Sequence, residues 1–126
     1  MNVRPRINRW TVSRRDLIFS SDIKSSLVQP HFVVSGEEIN EPIESMPGIF
    51  RQSVDVLCQT IAADMNLGIK SHMLFAVVDS HDKDPTASKA SSADMPLQLA
   101  VAKLKQQYGA EIVIMTDVCL CTATDH

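Results

Sequence analysis

With 126 residues, 44% of them apolar and 21% charged, the chain is long enough for one domain and apolar enough to bury a core. A net charge of −3 argues against nucleic acid as the main partner, because phosphate binding leans on clustered Lys and Arg. No run of apolar residues is long enough to span a membrane and the amino terminus lacks the apolar core of a secretory signal, so a membrane location is not expected.

Residues 1–26 hold Arg4, Arg6, Arg9, Arg14 and Arg15 with no acid before Asp16 and no sustained apolar period. They read as an extended basic arm with one short helix, docking on another subunit; organelle transit peptides share the bias. Leu27 to Val34 is strand-like, with Pro30 near its start or on an edge. After a Glu-rich stretch, Val54, Leu57, Cys58, Ile61, Ala62 and Met65 recur at helical spacing between Ser53, a candidate cap, and Gly68, a candidate stop. Met73 to Val78 is a continuous apolar run, as in a strand covered on both faces. A second helix is marked by Asp94 as a cap, Pro96, the stripe Leu97, Ala100, Val101 and Leu104, and Gly109 as the stop; Ile112 to Met115 is a third strand.

This alternation calls for a parallel sheet, either an open doubly wound one or the start of a barrel. The segments after the strands' carboxyl ends are long and residue-rich (Ser35 to Phe50, Asp79 to Ser92, Asp117 to His126), whereas the helix-to-strand turns are short. That asymmetry favours an α/β fold comprising the first three β/α units of a TIM (β/α)8 barrel. The expected division is an arm at 1–26 and a partial barrel at 27–126, with both helices on one face of the sheet and the other face unusually apolar.

Chemistry concentrates in Asp117-Val118-Cys119-Leu120-Cys121. Side chains two apart on an extended chain point the same way, so both sulfurs can face one site. Zinc takes thiolates but usually wants at least three protein ligands, so the pair is half a site; alternatively, two small hydrophobes cap a strand. His126 could add a third ligand or lie solvated at the chain end. Cys58 reads as core packing on its helix stripe, and His31, His72 and His81 as lone residues, structural or exposed. Three cysteines without a disulfide framework fit a reducing compartment, with the cytoplasm the simplest address.

Asp117-Val118-Cys119-Leu120-Cys121, followed by Thr124-Asp125-His126, resembles the start of the zinc-type porphobilinogen synthase (5-aminolevulinate dehydratase) signature Asp-Val-Cys-Leu-Cys-x-x-Thr-Asp-His-Gly-His-Cys-Gly. Ser45-Met46-Pro47-Gly48-Ile49-Phe50-Arg51 is similar to that family's Ser-Met-Pro-Gly-Val-x-Arg segment, and Lys83-Asp84-Pro85-Thr86-Ala87-Ser88-Lys89-Ala90 to its Lys-Asp-x-x-Gly-Ser-x-Ala loop. Arg4-Pro5-Arg6 and Arg9 match its basic arm. Two departures stand out: Ala87 replaces the usual Gly, and Thr122-Ala123 replaces a Glu-Tyr pair.

The resemblance implies a lyase of tetrapyrrole (heme) biosynthesis that condenses two 5-aminolevulinate molecules into porphobilinogen. It implies Zn2+ held by Cys119 and Cys121, substrate binding by Asp117, and a homo-oligomer, an octamer in the family, built through the arm. The family's two Schiff-base lysines lie on later barrel strands, and none of Lys24, Lys70, Lys83, Lys89, Lys103 or Lys105 matches them. The chain is therefore expected to be a fragment, inactive alone and ending inside the metal motif. The alternatives are a non-catalytic remnant or interaction module docking on a full-length relative, and an independent flavodoxin-like thiol module. The last is disfavoured because the first strand's loop holds no Gly-rich phosphate cradle.

Overall fold

The computed structural model describes residues 6–126, so Arg4 and Pro5 of the expected arm lie outside the described residues. Five strands form a mixed sheet: β1 (Val28–Val33), β2 (Asn40–Pro42), β3 (Phe50–Gln52), β4 (Ser71–Ala76) and β5 (Val113–Thr116), in the order β2-β3-β1-β4-β5. β4 runs parallel to both β1 and β5; β3 runs parallel to β1, and β2 is antiparallel to β3. Two helices precede the sheet, α1 (Val12–Phe19) and α2 (Ile23–Ser26), and two connect its parallel strands, α3 (Val54–Asn66) and α4 (Pro96–Tyr108).

The two connecting helices form where the apolar spacing placed them. Leu57, Cys58 and Ile61 are the buried stripe of α3, and Ala100 and Leu104 that of α4. Gly68 and Gly109 adopt φ of 96° and 52° just past the helix ends, in the region where a side chain is disfavoured. Both stripes meet Val33, Leu74 and Ile112 in one core cluster, so α3 and α4 cover the same face of the sheet. Cys58 packs in that cluster, as its position on the stripe indicated.

The strands alternate across the sheet. His31 and Val33 of β1 and His72 and Leu74 of β4 are buried beneath the helices. The intervening residues line the opposite face, where Phe32 stacks on Phe75 at 5.5 Å between ring centroids and Met73 pairs in register with Met115. That second face is apolar, as expected of a barrel's interior side.

Four local expectations differ from the structure. Residues 12–26, read as arm with one short helix, carry two α-helices: Thr11 caps α1 by accepting from the Arg14 amide, and Asp22 caps α2 by accepting from the Lys24 amide. The Glu-rich stretch after β1 folds into the β2-β3 hairpin, whose short strands lack an alternating apolar signal; Gln52 anchors it by donating to Asn40 and Thr60. Strand β4 starts two residues before Met73, at Ser71, whose backbone the neighbouring strands already pair. Asp94 does not cap α4; Met95 occupies that position, and Asp94 instead accepts from the Ser92 hydroxyl.

Candidate active site

The segments that follow the carboxyl ends of β4 and β5 enclose a cleft of about 280 Å³, lined by Ala76, Gln98, Asp117, Cys119 and Ala123 among others. Asp117 is exposed at its edge, directly after β5. Cys119 and Cys121 are both free and exposed, with their Sγ atoms 2.7 Å apart. The contact with Cys119 is the main reason the Cys121 thiol titrates above its ordinary range, so a metal must displace a tightly held proton there.

A tight turn after the thiols holds them at the cleft. Ala123 and Thr124 donate their amides to Leu120 O at 2.9 and 3.1 Å. Ala123 is buried, and its carbonyl accepts from the Asp84 amide at 3.2 Å, joining this segment to the loop after β4. A small residue at 123 thus fits the close approach of the two segments. His126 stays exposed, with Nδ1 3.3 Å from its neighbour Asp125 Oδ1.

Asp84 organises the loop after β4. Its carboxylate accepts from the Ser88 hydroxyl, from the Thr86 amide and hydroxyl at 2.8 and 2.7 Å, and from the Ser88 amide at 3.1 Å. These bonds, the Ser88 hydroxyl's foremost, hold the carboxyl far below the usual carboxylate range. Ala87 pays the conformational cost: it sits in the left-handed region with φ 51° and ψ 40°, buried beneath the loop. Left-handed backbone disfavours an L residue by about 1–2 kcal/mol, while glycine loses roughly 0.5–1 kcal/mol of unfolded-state entropy and Ala87→Gly also loses a buried methyl. Ala87→Gly is therefore expected to leave stability within about 1 kcal/mol of the parent, whereas the β-branched Ala87→Val lowers it by about 2 kcal/mol or more. Urea midpoints that rank valine level with alanine would contradict the assigned backbone.

Among the lysines, Lys105 has its ammonium disfavoured by burial, yet Nζ donates to Gly109 O at 3.1 Å and Ile112 O at 3.2 Å, at the turn entering β5. It therefore braces the end of the sheet opposite the cleft. Lys89 is paired with Asp82 on the surface.

Of the three histidines expected to be lone, His81 is exposed, but His31 and His72 are not isolated. His31 and His72 are buried side by side, with His31 Nε2 3.1 Å from His72 Nδ1, and His31 Nε2 lies 3.5 Å from Asp64 Oδ2. Burial holds both imidazoles neutral, lowering each pKa to about 4, and raises that of Asp64. Among the described residues, this is the group of three or more potential metal ligands whose atoms all lie within 4.8 Å of one another. The signal was present but diluted: Asp64 falls on the buried stripe of α3, three residues after Ile61, and both histidines occupy inward strand positions separated by 41 residues of chain.

The family model described as delta-aminolevulinic acid dehydratase matches residues 2–126. The chain belongs to that family. It is 36% identical over 124 residues to the delta-aminolevulinic acid dehydratase of Mycobacterium leprae, covering 98% of this chain and 38% of that one. It is also 36% identical over 119 residues to that of Staphylococcus epidermidis, covering 94% and 36% respectively. The crystal structure of delta-aminolevulinic acid dehydratase (porphobilinogen synthase) from Toxoplasma gondii ME49, in complex with the reaction product porphobilinogen, superposes with a TM-score of 0.77. That match has 34% identity and covers 99% of this chain and 35% of the other. The chain thus spans little more than a third of the length of these dehydratase relatives, and its parallel β/α units are those of a partial barrel. No described helix is long and apolar enough to cross a membrane.

Proposed function

We propose that the chain is the amino-terminal part of a zinc-type porphobilinogen synthase, contributing to the condensation of two 5-aminolevulinate molecules into porphobilinogen. The observation that carries the reading is that Asp117 and Cys119 line one cleft at the carboxyl end of β5, with Cys121 Sγ 2.7 Å from that of Cys119, in a chain of this family. In this arrangement Asp117 presents a carboxylate to a substrate ammonium, a charge-assisted pairing. Cys119 and Cys121 supply two zinc thiolates, and the metal would polarise a substrate oxygen.

The thiol pair passes a test of fit. A zinc ion binding two thiolates at about 2.3 Å sets the sulfurs roughly 3.7 Å apart, so the pair at 2.7 Å must spread by about 1 Å. Both side chains are exposed and free to do so. Two thiolates leave the shell open for at least one further protein ligand, and they favour zinc over magnesium. The lysines that form Schiff bases in the family have no counterpart among this chain's motifs, so it does not complete the reaction alone. Residues 1–26 serve as the arm through which a cytoplasmic homo-oligomer assembles, and residues 27–126 as barrel wall.

A chimera tests the reading. With these residues substituted for the matching segment of the Staphylococcus epidermidis enzyme, the protein is expected to form porphobilinogen and carry zinc. Asp117→Ala should lower kcat/KM at least tenfold with zinc retained, and Cys119→Ala should lower zinc content and rate together. A folded chimera without product, or one indifferent to both changes, would favour the second reading, a non-catalytic module docking on a full-length relative.

A further inference from the structure

We propose that His31, Asp64 and His72 form a second metal site, selective for a divalent transition ion such as Zn2+ or Co2+ and separate from the thiol pair. The two centres belong to different parts of the fold. The thiols follow the carboxyl end of β5, whereas His31 and His72 project from β1 and β4 onto the helix-covered face, beneath Asp64 of α3.

The geometry already approaches a coordination shell. An ion bound tetrahedrally at about 2.0–2.1 Å from two imidazole nitrogens places them roughly 3.3 Å apart, and His31 Nε2 and His72 Nδ1 are 3.1 Å apart. Asp64 Oδ2, 3.5 Å from His31 Nε2, completes three ligands. Without an ion the group is poorly satisfied. Asp64 Oδ2 is buried with no hydrogen-bond partner, and it faces His31 Nε2 at 3.5 Å. An isolated buried carboxylate oxygen is costly, and a cation is the partner that two neighbouring imidazoles can hold in place for it.

Access is provided from the hairpin side. A cleft of about 300 Å³ reaches His31 and Asp64 and is walled by Asn40, Gln52 and Thr60. It offers a route for the ion and room for water in the fourth position, so the site has three protein ligands and one open place. Two imidazoles with one carboxylate suit Zn2+, Co2+ or Ni2+ and disfavour Mg2+ and Ca2+, which prefer all-oxygen shells. The proposal does not depend on the function assigned above.

The decisive experiment removes the thiols first, in the 126-residue chain carrying Cys119→Ser and Cys121→Ser. Titration with Co2+ should give visible absorption at one equivalent, and Zn2+ should displace it and raise the melting temperature. Asp64→Asn, which keeps shape and loses the charge, should weaken Co2+ affinity at least tenfold without lowering the metal-free melting temperature. His31→Gln should do the same. If a substituted chain unfolds, long-range nitrogen NMR of the parent reads the imidazoles directly, with Zn2+ shifting His31 Nε2 and His72 Nδ1. Absence of any Co2+ spectrum in the thiol-free chain, binding undiminished by Asp64→Asn, or unmoved imidazole nitrogens would overturn the site.

Discussion

Leu74→Ala is expected to destabilise the chain by about 2–5 kcal/mol, the range for emptying a fully buried leucine position. Leu74 is 0% exposed on β4, the strand flanked by β1 and β5, and shares a cluster with Leu57 and Ile61 of α3 and Leu104 of α4. Its removal leaves a cavity where both helices meet the sheet, which a rigid three-way junction fills poorly. Small domains are stable by about 5–15 kcal/mol, so the loss is a large share of the total. Phe75, its neighbour in sequence, lies on the other face, half-buried and stacked on Phe32. Phe75→Ala should therefore cost less despite deleting more atoms. Urea unfolding with unchanged slope would measure both changes. If Phe75→Ala proved the more damaging, the sheet's main core would lie on the face opposite the helices.

Acidification in the presence of a chelator should bring the second large effect. His31 and His72 each fall from 6.5 in the unfolded chain to about 4 in the folded one, chiefly through burial. Between those values the unfolded chain binds more protons, so stability is full above about pH 6.5 and declines as the pH falls toward 4. At 1.36 kcal/mol per pH unit, each histidine contributes on the order of 3 kcal/mol, less for the pair because their protonations are coupled. Asp64 works in the opposite direction: its raised pKa means the folded state takes up a proton first, which softens the loss. Asp84, held far below its ordinary range, adds its own loss only below about pH 4. Replacing both histidines by leucine should flatten the profile between pH 6.5 and 4. A slope that persists in that double variant would assign the acid sensitivity elsewhere.

The sequence carried the parallel β/α alternation because α3 and α4 have long, regular apolar stripes that local spacing reveals, with Gly68 and Gly109 where the helices stop. It carried Asp117, Cys119 and Cys121 as candidates because they are adjacent on the chain. The hairpin of β2 and β3 was illegible because its strands are three residues each, with β2 wholly exposed, and depend on the long-range bonds of Gln52 and Ser53. The His31, Asp64 and His72 group was hidden for a similar reason. Nothing local marks a partnership between residues on two strands and a helix, and only the parallel register, in which Gln29 faces His72 and His31 faces Leu74, sets the rings diagonally together. Ala87 shows the intermediate case: the sequence marked it as standing where the family usually has Gly, and the Asp84 hydrogen bonds hold it in left-handed backbone.

The two borders of the sheet are unlike, which gives its assembly a direction. On one side β3 is aligned with only Phe32 and Val33 of β1, Pro30 offers that strand no amide hydrogen, and the outermost strand, β2, ends in Pro42. Such features blunt an edge against further pairing. On the other side, among the described residues, β5 has β4 as its sole neighbour, so the outward amides and carbonyls of Val113–Thr116 stay available to a new strand. The apolar residues Val113 and Met115 continue the open face right up to that border. Growth by strand addition is therefore polar, like a filament with one capped and one free end. A complementing segment supplied on a separate chain would add beside β5, and the same border is where misassembly at high concentration would begin.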